Sequence, residues 1–200
     1  LCRKTLLTSD GSHSHSMIPR SFVYVILSLM RHGVPTELSE AYGGLGQFED
    51  VFTSPPQLFS DIESQYEHLV KKSEGIHPNA GLATCVLDAE LAGILAHEAI
   101  GHTTEADLVM SGSVAEGKVG REVASPLVTL IDFASSCGGK TCSVPVYVDD
   151  EGTKAEDAVI IEKGTLKGYM HNKESADRFG VSPTGNARAY QFSDEPLIRM

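Results

Sequence analysis

The 200 residues predict an α+β fold with mixed or antiparallel sheets, one packed amphipathic helix and a second helix that carries a metal motif. Three observations lead there. Leu58, Ile62, Tyr66, Leu69 and Val70 recur at helical spacing over residues 57–72, so that stretch is an amphipathic helix. β-branched and aromatic side chains crowd residues 22–27, as they do in strands. Lys163-Gly164 separates two apolar runs, 158–162 and 165–170, as a tight hairpin turn does. A hydrophobic content of 41% suffices for a sizeable core, as one domain or as one domain and part of another. The expected division is 1–80 and 81–200.

Taken in order, residues 6–10 read as a short strand closed by the turn Ser9-Asp10-Gly11. Ser12 to Ser16 alternates Ser and His and reads as a loop, with a metal-binding tract as the alternative. Pro19 introduces a strand over 20–31, expected to pair antiparallel with the first. Tyr42-Gly43-Gly44-Leu45-Gly46 lacks the Lys-Ser/Thr of a phosphate loop and reads as a flexible turn, or as bare backbone approached by a ligand. After the helix over 57–72, Gly75, Pro78 and Gly81 stop the chain from continuing helical. Residues 82–87 are a strand candidate, and Asp88 is placed to cap a helix beginning near Ala89. Glycines over 112–120 indicate a loop near that helix. Residues 127–133 and 144–149 are further strands, 172–179 is a short helix, and Asp149-Asp150-Glu151, which does not match an EF-hand, is a solvated turn.

The chemistry concentrates in the run from Leu91 to Asp107, which contains His97-Glu98-Ala99-Ile100-Gly101-His102. Two neutral imidazoles can hold a metal ion, and a carboxylate between them can take a proton from an attacking water. The spacing is H-E-x-x-x-H, one residue longer than the metalloprotease pattern whose histidines share a helix face. At about 100° per residue, the two rings would stand about 140° apart on an ideal helix. The motif therefore predicts a π-bulge or a helix ending near Gly101. The competing reading is a buried amphipathic helix that happens to carry two histidines. Against it, Glu98 sits in an apolar window where an unpaired carboxylate is costly to bury.

Several stretches together resemble one family. His97 to Asp107, Gly117-Lys118-Val119-Gly120, Val123-Ala124-Ser125, Asp149-Asp150-Glu151-Gly152-Thr153, Gly164-Thr165-Leu166-Lys167-Gly168-Tyr169-Met170 and Pro183-Thr184-Gly185-Asn186-Ala187-Arg188 are similar, in the same order, to the TldD/PmbA family, also called modulators of DNA gyrase. The resemblance is clear over 81–200 and weaker upstream, in Lys4 to Gly11 and Gly43 to Gly46. It implies a zinc peptidase of the TldD type, with unfolded or leader peptides as substrates, as in microcin maturation. It also implies a heterodimer with a TldE/PmbA-type partner lacking the motif. His97 and His102 would be the metal ligands and Glu98 the catalytic base. A third ligand, a cysteine, is expected beyond Met200, so the chain reads as an excerpt whose site is incomplete. Glu105 and Asp107, acidic in the family too, either orient a ligand histidine by a hydrogen bond or face solvent at a helix end. Ala187 stands where the family often has glycine.

Composition narrows the alternatives. A net charge of −11 argues against a nucleic-acid surface, since phosphates are met by clustered Lys and Arg, so the gyrase label gains no support from charge. Residues 22–30 are apolar but far short of the roughly 20 that span a membrane. Cys2, Cys85, Cys137 and Cys142 form no C-x-x-C pair and indicate a reduced, cytoplasmic setting. The function from another class is a non-catalytic interaction or regulatory subunit in which the motif helix is structural. Metal content separates the two.

Overall fold

The structure, a computed structural model, describes residues 2–200. It divides into two units, Ser16–Thr84 with the chain up to Lys4, and Cys85–Met200 with Thr5–His15.

In the first unit the expected strand is β3, Arg20–Arg31, and it pairs antiparallel with β4, Val34–Leu45, not with the start of the chain. The register runs from Arg20↔Leu45 to Arg31↔Val34, and His32 and Gly33 turn the chain with φ of 49° and 79°. Two consecutive left-handed residues match the twist of a two-stranded ribbon, which fixes the local partner ahead of a more distant one. Gly43 is part of β4, not of a flexible turn. A Cβ there would come within 2.1 Å of the Ser21 carbonyl oxygen, so the bare backbone serves strand pairing. Helix α1, Phe48–Val51, precedes α2, Pro55–Ser73, which packs on the ribbon. Leu69 is buried there beside Gln65, whose Nε2 donates to the carbonyls of Val25 and Leu38 at 3.0 and 3.1 Å. The Tyr42 hydroxyl donates to Gln65 Oε1 at 3.2 Å, so this buried amide has partners on both ends.

The first strand, β1, Cys2–Leu7, pairs with β2, His13–Ile18. The Ser/His run is thus mostly strand, because its period of two suits a ribbon with one face more exposed than the other. The turn between them belongs to the second unit, where Ser12 Oγ donates to the Gly152 carbonyl at 3.1 Å and Lys173 pairs with Asp10. Lys173, then the Thr8 hydroxyl, hold the Asp10 carboxyl down at about 2.

The second unit is built on a three-stranded sheet in the order β5 (Leu130–Asp132), β8 (Ala158–Glu162), β9 (Thr165–Leu166). Lys163 and Gly164, at φ of 47° and 84°, form the expected hairpin turn. Gly164 lies against the backbone of Ala124 and Ser125, where a Cβ would meet the Ala124 oxygen at 2.5 Å. Ile160, Ile161, Leu166, Met170, Val109 and Ile198 fill the core. Two small ribbons complete the strands: β6 (Ser136–Cys137) with β7 (Lys140–Thr141), and β10 (Ala187–Arg188) with β11 (Leu197–Ile198). The pairs β3–β4, β5–β8, β6–β7, β8–β9 and β10–β11 are antiparallel; parallel geometry is confined, among the described residues, to the bridge Glu105↔Met170. The fold is α+β.

Other expectations are corrected here. Residues 82–87 form no strand, and Leu82 and Val86 are exposed, so the burial that rewards pairing is missing. Of 144–149 only Val148 makes a bridge, to Lys154. Asp149 is fully buried, not solvated: Oδ1 accepts from the Glu151 and Thr153 amides at 3.0 and 2.8 Å, and Oδ2 from Ala187 N at 3.2 Å. The carboxylate satisfies three amides around a turn closed by the Val148↔Lys154 bridge.

Helix α5, Lys173–Phe179, is capped by Asn172 and follows His171, which is buried against Tyr169 and Phe179 with Nδ1 3.1 Å from Ser175 Oγ. Burial holds its pKa below the ordinary 6.5. The unfolded chain therefore binds the extra proton more readily, so this contribution to stability is complete above about pH 6.5 and is lost as pH falls below it. Urea midpoints of the wild type should drop on acidification through that range, and His171→Gln should flatten that part of the profile.

Candidate metal centre

The Asp88 carboxylate accepts from the Leu91 amide at 2.8 Å and starts α3, Ala89–Ala96. At its end the hydrogen-bond pattern widens: the His102 N–H bonds the His97 carbonyl, making His97–Gly101 a π-turn. A 3₁₀ turn, His102–Thr104, and then α4, Ala106–Met110, follow. The wider turn brings residues five apart onto one face, as the spacing requires. The two imidazole centroids lie 4.8 Å apart at an interplanar angle of 74°.

The widening leaves carbonyls to be satisfied, and the next two residues supply hydroxyls. Thr103 Oγ1 donates to the Ile100 oxygen at 2.9 Å, while Thr104 Oγ1 lies 2.9 and 3.0 Å from the oxygens of Ile100 and Gly101. Gly101 itself is packed by Met200, whose sulfur would stand 2.6 Å from an added Cβ. Its φ of −51° is ordinary helical backbone, so glycine contributes small size beside Met200 and not backbone freedom.

His97, Glu98 and His102 each offer one ligand atom, and these atoms lie within 4.8 Å of one another. Glu98 Oε2 is 3.6 Å from His102 Nε2. The donor set of two imidazole nitrogens and a carboxylate oxygen is one that zinc accepts. The other ring nitrogen of His102, Nδ1, is 3.1 Å from Glu105 Oε1, which leaves Nε2 free on the side of the cluster. Glu105 is 1% exposed, and Arg199 Nη1 stands 3.5 Å from its second oxygen. Burial pushes the Glu105 carboxyl up, and His102 and Arg199 pull it back. Asp107, half-buried, instead accepts from the Leu108 amide at 2.9 Å in the first turn of α4.

Three neighbouring residues have no role legible in the sequence, although Asn186 lies in the 183–188 motif. Asp132 is half-buried on β5, and Asn186 Nδ2 donates to its Oδ2 at 2.6 Å. Burial raises this carboxyl, while the Asn186 bond and the charges of Arg188 and His97 lower it. Arg199 is the third. Arg188 lies in the same motif as Asn186; its Nη1 donates to the Gly185 carbonyl at 2.5 Å and the Ala187 carbonyl at 3.2 Å. The close backbone approach in that motif falls on Gly185, where a Cβ would meet Ala155 Cα at 2.5 Å. Ala187 is fully buried with its methyl in the core, so no glycine is needed there.

The comparisons with known proteins define the class first: residues 80–200 match the family model described as the PmbA/TldA metallopeptidase C-terminal domain. The chain belongs to the PmbA/TldD family, a family of peptidases. It is 35% identical over 199 residues to a protein named metalloprotease from Methanocaldococcus jannaschii, covering 99% of this chain and 42% of that one. It is 33% identical over 196 residues to a zinc metalloprotease TldD homolog from Saccharolobus solfataricus, covering 97% and 41%. The chain thus spans about two fifths of the length of these relatives. TldE from Thermococcus kodakarensis shares the fold with a TM-score of 0.66 at 21% identity, over 97% of this chain and 42% of that one. A structure described as a modulator of DNA gyrase from Bacteroides thetaiotaomicron does so with a TM-score of 0.69 at 21% identity, over 88% and 38%.

The threonine hydroxyls give a direct test of the turn. Thr104→Val keeps the shape but strips a buried carbonyl of its donor, which costs about 1–3 kcal/mol. The urea midpoint should fall with the slope unchanged, and Thr104→Ser should recover most of the loss.

Proposed function

We propose that residues 81–200 form the catalytic core of a zinc peptidase of the TldD type, which cleaves unfolded or leader peptides such as those removed in microcin maturation. The observation that carries this reading is the convergence of His97, Glu98 and His102 within 4.8 Å on a turn distorted to bring them together. The names of the curated relatives, metalloprotease and zinc metalloprotease, support it.

In this mechanism His97 and His102 hold the ion through ring nitrogens, and Glu105 keeps His102 in the tautomer that frees Nε2. Zinc, when bound, supplies Lewis acidity that polarises the scissile carbonyl and makes water a better proton donor. Glu98, exposed and beside both histidines, takes the proton from the attacking water and delivers it to the departing amine. A third protein ligand is needed for a catalytic site of this kind, and the family resemblance implies a cysteine outside these residues. Among the described residues no cysteine joins the cluster. The partner is a TldE/PmbA-type subunit, for which the likeness to TldE is the support. Cys137 and Cys142 are free thiols, and a cytoplasmic setting is part of this reading. Among the described residues no helix is long and apolar enough to cross a membrane. The net charge of −11 gives no reason to assign nucleic acid as a ligand.

In the full-length protein, Glu98→Gln should retain zinc while peptide cleavage falls at least about 10²-fold, because the amide keeps volume but cannot accept the proton. His97→Ala should lose both metal and activity. Zinc absent from the wild type at every stage of purification would instead favour the non-catalytic subunit.

A further inference from the structure

We propose that Asn186 and Arg199 are positioning residues of the metal centre, through which the β10–β11 ribbon sets Glu105, the carboxylate that stands beside His102. This rests on the reading of His97 and His102 as ligands.

The register of the ribbon places these side chains. Ala187 pairs with Ile198 and Arg188 with Leu197, and the Arg199 amide donates to the Asn186 carbonyl at 2.9 Å. Ala187 and Ile198 are fully buried in the core. Alternation along both strands then puts Asn186, Arg188, Leu197 and Arg199 together on the opposite face.

Asn186 is 2% exposed, and its Nδ2 donates to Asp132 Oδ2 at 2.6 Å and to the Arg199 carbonyl at 2.8 Å. Both partners are acceptors, so only the amino end of the amide can face them. The orientation holds even though Oδ1 is left buried without a hydrogen-bond partner. A side chain serving only to fill space would not carry that penalty.

Arg199 carries this hold to His102. Its Nη1 donates to the Ile198 carbonyl at 3.1 Å and stands 3.5 Å from Glu105 Oε2, while Glu105 Oε1 is 3.1 Å from His102 Nδ1. A carboxylate this buried stays where the proposal needs it only if a cation compensates it. Arg199 supplies that cation, and Asn186 fixes Arg199 by its backbone carbonyl. One short ribbon thereby ties the orientation of His102 to the core.

The test uses the full-length protein with Asn186→Leu, Arg199→Met and Arg199→Lys. Three quantities are read: zinc dissociation constant by chelator competition, the visible spectrum of the cobalt-substituted form, and the ring ¹⁵N shifts of His102 in the metal-free protein. Asn186→Leu and Arg199→Met should each weaken zinc binding about 10–100-fold and alter the cobalt spectrum. Arg199→Met should also convert His102 from one tautomer to a mixture, and Arg199→Lys should restore most of it. Lower melting temperatures with unchanged zinc affinity and an unchanged tautomer would overturn the proposal. If Asn186→Leu does not fold, the Arg199 pair decides alone. If the wild type holds no zinc, the metal-centre reading fails, while the His102 tautomer still decides whether Arg199 positions that ring.

Discussion

Two imidazoles five residues apart cannot meet on a regular α-helix, and the local structure around them follows from that. The backbone must widen for one turn, and a widened turn leaves carbonyls in need of donors. Thr103 and Thr104 supply them from the next two positions, so the residues after the motif are as necessary to its geometry as the histidines. Gly101 completes the arrangement, since Met200 occupies the space that a side chain there would need. The motif is thus a seven- or eight-residue device folded against a distant part of the chain rather than a spacing of three residues.

Carboxylates in this unit do unlike jobs because their surroundings differ. Asp149 is fully buried and accepts three backbone amides beside the Val148↔Lys154 bridge, which is a structural role. Glu105 is equally buried but faces a histidine on one oxygen and an arginine on the other. Glu98 is mostly open to solvent, not buried in its apolar window as the sequence suggests. Burial separates the group that positions from the group that would react.

How much was legible in the sequence depended on whether a signal was local. The helix over 57–72, the Lys163-Gly164 hairpin, the Asp88 cap and the distortion near Gly101 all rest on neighbours within a few residues, and the structure has each of them. Strand partners were not legible in this way. The apolar run of β3 fits pairing with either flank, and the left-handed residues His32 and Gly33 decide it for β4. Gly43 looked mobile because its requirement, closeness to Ser21, comes from the paired strand. Asp132, Asn186 and Arg199 meet from three separate segments, so nothing in the spacing of any one of them announces the others.

The two histidines are held unequally, and this bears on how the centre works. After the motif, Glu105, Ala106 and Val109 are buried, and Ala106 N to the Met170 carbonyl and Met170 N to the Thr104 carbonyl, both 3.0 Å, fasten the chain to the core. Before it, α3 buries no residue, and Leu91, Ile94 and Leu95 are each about half exposed. His102 is therefore anchored by backbone, ring and carboxylate together. His97 depends on a helix with little packing of its own. Local stability follows buried contacts, so the end of α3 has more freedom than the 3₁₀ turn beyond it. An ion held between the rings would tie the looser histidine to the firmer one, and metal binding would then stabilise α3 as well as complete the site.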